Sequence, residues 1–160
     1  MTYIRDLAAG PVVARTSPAE GQLPKRPVLL ASLRTRADLS RLPKDELIHA
    51  VAFFCDSPKD FVLLGRTISV GTPLAPLDEV EAKADRSGLY NYVVLLEVSR
   101  RGSPDSQPPE VGFDLMKTPR SVCIRLQGGY VAMHASSNTV RISAKRIREA
   151  LMRYEESAGG

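Results

Sequence analysis

Apolar residues in this chain fall into short strings, many of them alternating with polar ones, and turn-forming residues separate the strings. That period of two predicts strands, with few positions left for helices. Val28–Leu33 reads as a short strand. The apolar runs Leu47–Phe54 and Phe61–Val70 flank Cys55-Asp56-Ser57-Pro58-Lys59-Asp60, so a β-hairpin is expected there. The first run also fits helical spacing through Leu47, Ala50, Val51 and Phe54. Leu39–Glu46 has room for one helical turn around Pro43. In Leu89–Ser99, the residues Tyr90, Tyr92, Val94, Leu96 and Val98 share one face, and Leu89, Val93 and Leu95 make the other face apolar too. Such a strand belongs in the middle of a sheet, covered on both sides. Further strands are expected at Val111–Leu115, Ser121–Leu126, Tyr130–Ala135 and Thr139–Ile142.

Two segments carry helix signals. Pro76–Arg86 opens on a proline with Asp78, Glu79 and Glu81 near its start, places Lys83 and Arg86 near its end, and is followed by Gly88. Those choices suit a helix dipole and its ends. Ser143 is a natural N-cap for a helix over Ala144–Tyr154, whose Ala144, Ile147, Leu151 and Tyr154 form one apolar face. Residues 1–27 contain Pro11, Pro18, Pro24 and Pro27 with Gly10 and Gly21, which reads as an irregular arm. Residues 100–110, rich in Gly, Ser and Pro, read as an exposed loop. The expected fold is α+β: a mainly antiparallel sheet of about six to eight strands with two helices, over 76–86 and 144–154, in a single domain spanning 28–156.

Gly128-Gly129 predicts a two-residue hairpin turn. That turn would set Cys123 opposite His134 and Val122 opposite Ala135. It sorts the residues into an apolar face (Val122, Ile124, Leu126, Val131, Met133, Ala135) and a mixed face (Cys123, Arg125, Gln127, Tyr130, Ala132, His134).

Composition adds little beyond a water-soluble character: 43% hydrophobic, 25% charged and no Trp in 160 residues. No signal-peptide h-region and no membrane-length apolar run is visible, which points to the cytoplasm, or to the host cytoplasm or a particle if the protein is viral. Cys55 and Cys123 are expected to be buried, reduced thiols. Charge changes the picture more. Residues 1–99 hold 12 basic and 12 acidic side chains, whereas residues 100–154 hold 10 basic and 4 acidic ones. A neutral scaffold with a basic flank predicts an anionic partner.

The residues expected to meet that partner are Arg125, Gln127, Tyr130 and His134 on the mixed sheet face, Arg141 beside it, and Lys145, Arg146 and Arg148 on the terminal helix. Arginines would take phosphates and Tyr130 would stack on a base or ribose. The strand pair Cys123–Ala135 followed by the helix from Ser143 resembles small viral RNA-binding proteins such as the tombusvirus silencing suppressors, which bind a duplex on a sheet face flanked by helices. Those proteins use tryptophans to measure duplex ends, which this chain lacks, and no residue role is transferred from them.

Enzymatic signals are weak. Cys123 and His134 would form a nucleophile–base pair with no third group to orient it. His49 and Cys55 are too few for a zinc site, and Gly128-Gly129 lacks a nucleotide-binding context. No cofactor or metal is expected. The sequence therefore predicts a non-enzymatic protein binding RNA or another polyanion through its basic C-terminal half, of viral or phage structural character, and forming homo-oligomers. The alternative is an assembly or matrix-like subunit whose basic surface meets an acidic protein or a membrane.

Overall fold

A computed structural model describes residues 2–16, 26–42, 48–61, 68–71, 74–107, 109, 111–129 and 135–159. In chain order these form β1 (Thr2–Ile4), β2 (Ala8–Thr16), β3 (Pro27–Thr35), β4 (His49–Phe54), β5 (Ser57–Phe61), β6 (Ser69–Val70) and β7 (Ala75–Pro76). There follow β8 (Tyr90–Glu97), β9 (Ser99–Arg100), β10 (Phe113–Asp114), β11 (Val122–Gly128), β12 (Ala135–Ser137), β13 (Val140–Ile142) and the helix α1 (Ala144–Gly159). The fold is α+β and mainly β, with one α-helix among the described residues.

Two sheets carry the architecture. One has six strands in the order β1-β12-β11-β4-β5, with β13 also pairing β11; the other has five, in the order β2-β3-β8-β6-β7. Their apolar faces meet in one core. Ala50, Ala52, Phe54, Val122, Ile124 and Leu126 come from the first sheet, and Leu29, Leu33, Tyr92, Val94 and Leu96 from the second. Alternation along β11 is complete: Val122, Ile124 and Leu126 are buried, and Cys123, Arg125 and Gln127 are half-buried on the other side. β8 is central as expected, with Val93 buried on its second face as well. Tyr92 reaches the core's rim, where its hydroxyl donates to Ala37 O (3.0 Å) and accepts from Leu39 N (2.8 Å). Burial pushes that phenol's pKa well above its ordinary value.

α1 starts on the expected cap: Ser143 Oγ accepts from Arg146 N (3.3 Å). Ile147, Ala150 and Leu151 are buried and join the core, and the helix lies against β2. The expected hairpin at Cys55 exists, but its turn is tight: β5 starts at Ser57, and the ladder carries an irregularity between Phe53 and Phe54. At the far end of the second run Ser69 pairs with Val93 of β8 in the other sheet, and residues 62–67 lie outside the described set.

Four expectations are corrected. Residues 76–86 are not helical. Pro76 pairs with Ser69, Glu79 N bonds Pro76 O (3.0 Å), and Asp85 Oδ1 accepts from Ser87 N and Leu89 N. The side chains packed on the core here are Leu77 and Ala82, a spacing no helix face provides, and Val80 is left 42% exposed. Residues 2–16 of the supposed irregular arm are strands β1 and β2, with Ile4, Leu7 and Val12 in the core. Gly10-Pro11 is a bulge at the register shift between Ala9 and Val12, on an edge strand where a proline removes no ladder bond. Residues 17–25 lie outside the described set.

The Gly128-Gly129 hairpin is the third correction. Gly128 is the last residue of β11 and faces Ala135, so the two-residue turn at 128–129 does not form; residues 130–134 lie outside the described set. Cys123 faces Arg141, and His134 is outside the described residues. The actual register differs from the expected one by an even number of residues, which leaves the side chains of β11 and Ala135 on their expected faces. That is why the pattern sorted cleanly and still gave the wrong partners. Finally, Cys55 and Cys123 are not reduced thiols: they form a disulfide, with Cα atoms 5.1 Å apart. Pairing β4 with β11 places Cys55 beside Ser121 (Cys55 N to Ser121 O, 3.1 Å), diagonal to Cys123 on the half-buried outer face. Each cysteine alone looks like a small core residue, and only the ladder brings them together.

The loop expected over 100–110 is present and largely exposed, with Pro108 and Glu110 outside the described set. Its stem is β9 paired with β10, and just above it Gly112 comes so close to Gly102 that a Cβ would sit 2.7 Å from the Gly102 nitrogen.

Candidate functional site

The outer face of the six-stranded sheet collects the residues with binding chemistry. Lateral neighbours in a sheet share a face, so the register defines its rows. One row reads Tyr3–Ser136–Gln127–His49 across β1, β12, β11 and β4. Gln127 Nε2 lies 3.2 Å from His49 Nε2, within hydrogen-bond reach. Tyr3 is 51% exposed, and the Arg5 guanidinium stands 5.7 Å from its ring centre.

The next row pairs Arg125 with Val51, and the third reads Arg141–Cys123–Phe53. The Arg125 guanidinium carbon is 5.2 Å from the centre of the Phe53 ring, which lies almost fully buried beneath it. Such contact favours the cation over the ring face and leaves the N–H edge of the guanidinium for another acceptor. Arg141 points outward between buried Val140 and Ile142, and its Nη2 donates to Ser121 Oγ (3.1 Å). Arg125 and Arg141 are diagonal neighbours, about 7–8 Å apart at the backbone. Among the described residues no carboxylate pairs with either. Arg120, at one end of the same ladder, is by contrast engaged: it lies 3.7 Å over the Phe54 ring and bonds Asp56 Oδ1 (2.9 Å), holding that carboxyl below its usual pKa.

Of the residues expected from sequence, Arg125, Gln127 and Arg141 are brought together on this face. Tyr130 and His134 lie outside the described residues. Lys145 and Arg148 are exposed on α1, which begins beside Arg141: Ser121 Oγ also accepts from Ala144 N (3.1 Å). Lys145 is 4.0 Å from Glu149 and 77% exposed, an ion pair of little strength. Arg146 does not join the face. Its Nη2 donates to Gly10 O, tying the helix to β2.

The sequence reading missed Tyr3, Arg5, His49 and Phe53. Tyr3 and Arg5 were hidden in the supposed arm, although the order Tyr-Ile-Arg already alternates an exposed aromatic with a buried aliphatic. His49 and Phe53 alternate with Ala50, Ala52 and Phe54 in a run whose helical spacing competed with that pattern. Among the described residues no group of His, Cys, Asp and Glu is arranged to hold a metal ion, and no helix is long and apolar enough to cross a membrane. No protein-family model matches the chain, and neither a curated protein nor a solved structure is detectably similar to it.

Proposed function

We propose that the protein acts by binding rather than catalysis, and that it holds a polyanion, with RNA as the first candidate, on the outer face of the six-stranded sheet. The observation that carries this reading is the pair Arg125 and Arg141. They lie on one face, free of carboxylate partners among the described residues, and border the row that contains Tyr3, Ser136, Gln127 and His49. Cations in that setting take phosphates, the exposed Tyr3 ring offers a stacking platform, and the amide and imidazole offer hydrogen bonds to bases or sugars. Lys145 and Arg148 extend the positive field past Arg141. This differs from the sequence reading in three contributors: Tyr3 supplies an aromatic and His49 an imidazole within the described residues, and Arg146 belongs to the scaffold. The disulfide favours an oxidising compartment or a particle over the reducing cytoplasm that the sequence suggested.

Binding of the purified, nuclease-treated protein to labelled single- and double-stranded RNA and DNA across a salt series tests this. Arg125→Gln with Arg141→Gln is expected to weaken binding at least about tenfold and to flatten the log–log salt slope by about two. No binding at low salt, or an unchanged slope in the double variant, removes nucleic acid from this face. An acidic protein or an anionic membrane would then be the ligand to try.

A further inference from the structure

We propose that a second surface, the groove between the free edge of β2 and α1, takes up a short, extended acidic segment of a partner protein as an added strand. The groove has a volume of about 460 Å³. One wall is Val12 to Thr16, five consecutive strand residues. Side chains along a strand alternate between faces, so only a groove running along the strand's edge touches all five. The other wall is Ala150, Arg153, Tyr154 and Ser157, spaced i, i+3, i+4 and i+7, which is one face of the helix. β2 ends its sheet and pairs only with β3 among the described residues. Alternate residues of such a strand therefore direct N–H and C=O groups into the groove. A sheet edge lying open beside a helix is a geometry in which peptides bind by strand addition.

Both ends of the groove are defined. Arg146 Nη2 occupies the carbonyl of Gly10 at one end, and Thr16 Oγ1 and Tyr154 OH are 2.9 Å apart at the other. Between those two bridges lie five strand residues, about 17 Å of backbone, which limits the guest to about four or five residues. Charge sets its composition. Arg15 and Arg153 are exposed, and no carboxylate of the described residues pairs with them. Arg15 shares its face of the strand with Val13, so the guest's acidic side chains lie on that face, and Ala14, half-buried on the opposite face, offers apolar contact with Ala150 to the alternate side chains. An acidic segment alternating with aliphatic residues satisfies the edge, the arginines and the apolar wall together. A polynucleotide would satisfy only the arginines.

The test uses the full-length oxidised protein and a five-residue fluorescein-labelled peptide, Val-Glu-Val-Asp-Val, followed by anisotropy. Saturable binding is expected, with a loss of at least about tenfold for the same peptide methylated at every backbone nitrogen, which can no longer donate to a strand edge. Arg15→Glu with Arg153→Glu should weaken binding to a similar degree. Val13→Asp, at an exposed position that leaves the core untouched, gives the same direction if the double variant folds poorly. Arg125→Gln with Arg141→Gln should leave peptide binding unchanged, which separates this groove from the polyanion face. Absence of binding, or equal binding of the methylated peptide, overturns strand addition.

Discussion

Asp6 and Asn138 solve one problem from two sides of the connection between β1 and β2: each uses its side chain where the backbone ladder is broken. Asn138 sits in the break between β12 and β13. Its Oδ1 accepts from Leu7 N (3.0 Å) and its Nδ2 donates to Leu7 O (2.8 Å), a side-chain copy of a strand pair. Ser137 Oγ meanwhile accepts from the buried Leu126 N (2.8 Å), so β11 loses no bond at the break. Asp6 accepts from Thr35 Oγ1 (2.6 Å) and Arg36 N (2.8 Å), fixing the end of β3. The Thr35 hydroxyl is the main reason the Asp6 carboxyl is held below its ordinary value of 3.8; the Arg36 backbone and charge add to it, against the opposing effect of burial. A carboxyl depressed on folding stabilises the native state above its unfolded pKa, and that contribution disappears as pH falls through the folded value. Wild type is therefore expected to exceed Asp6→Asn in stability at neutral pH, with the gap closing once pH drops below about 4. Urea midpoints of both proteins at neutral and acid pH measure the gap. A gap that persists in acid would mean that Asp6 acts through shape and not through charge.

At the level of elements, two glycines show how the loops differ in what they demand. Gly88 has φ +80° with nothing within 4 Å of where a Cβ would stand, so the requirement is purely conformational. Gly88→Ala should cost about 1 kcal/mol, and Gly88→Asn less, because Asn tolerates that region. Gly112 is the reverse case: a Cβ there would press on the Gly102 backbone at 2.7 Å. Gly112→Ala must open the stem of the 101–112 loop and should cost more than Gly88→Ala, about 2–3 kcal/mol. Thermal or urea unfolding of both variants ranks them, and equal costs would contradict the close approach.

The same contrast between local and long-range demands explains what the sequence revealed. β8, β11 and α1 were legible because their periodicity is long enough to fix a face without knowing the partner, and β13 because Arg141 stands between two aliphatic residues. The stretch 76–86 misled because its charges follow helix rules locally, while the sheet edge at Ser69 and the turn at Asp85 claimed its backbone. β1 and β2 were illegible because a bulge written Gly-Pro looks like a breaker until an edge strand gives it a place. Of the candidate face, the arginines of β11 and β13 were visible as outward residues. The row that runs through Tyr3 and His49 required a register spanning residues far apart in sequence.

Across the whole molecule, the disulfide connects this ladder to the rest of the chain. Its two ends are 68 residues apart, and the chain between them builds β5 through β10, including the central strand β8 of the second sheet. Joining them restricts the unfolded chain in a loop that spans both layers, worth about 4 kcal/mol on the chain-entropy account. Against a total stability of about 5–15 kcal/mol for a domain, that is a large share. The native face owes its shape to other forces. β4 and β11 share a ladder from Val122↔Phe54 to Gln127↔His49, and the core beneath it is closed by Phe54, Ile124 and Leu126. Cys55→Ser with Cys123→Ser should therefore lower the free energy of unfolding by about 4 kcal/mol and raise the urea m-value, since the released unfolded chain exposes more surface. Polyanion binding measured well below the unfolding midpoint should change little, because Arg125 and Arg141 keep their places on β11 and β13. Equal urea midpoints for the double variant and the oxidised protein would show that the bond constrains nothing the ladder has not already fixed. Lost binding in a variant that remains folded would instead make the disulfide part of the binding face.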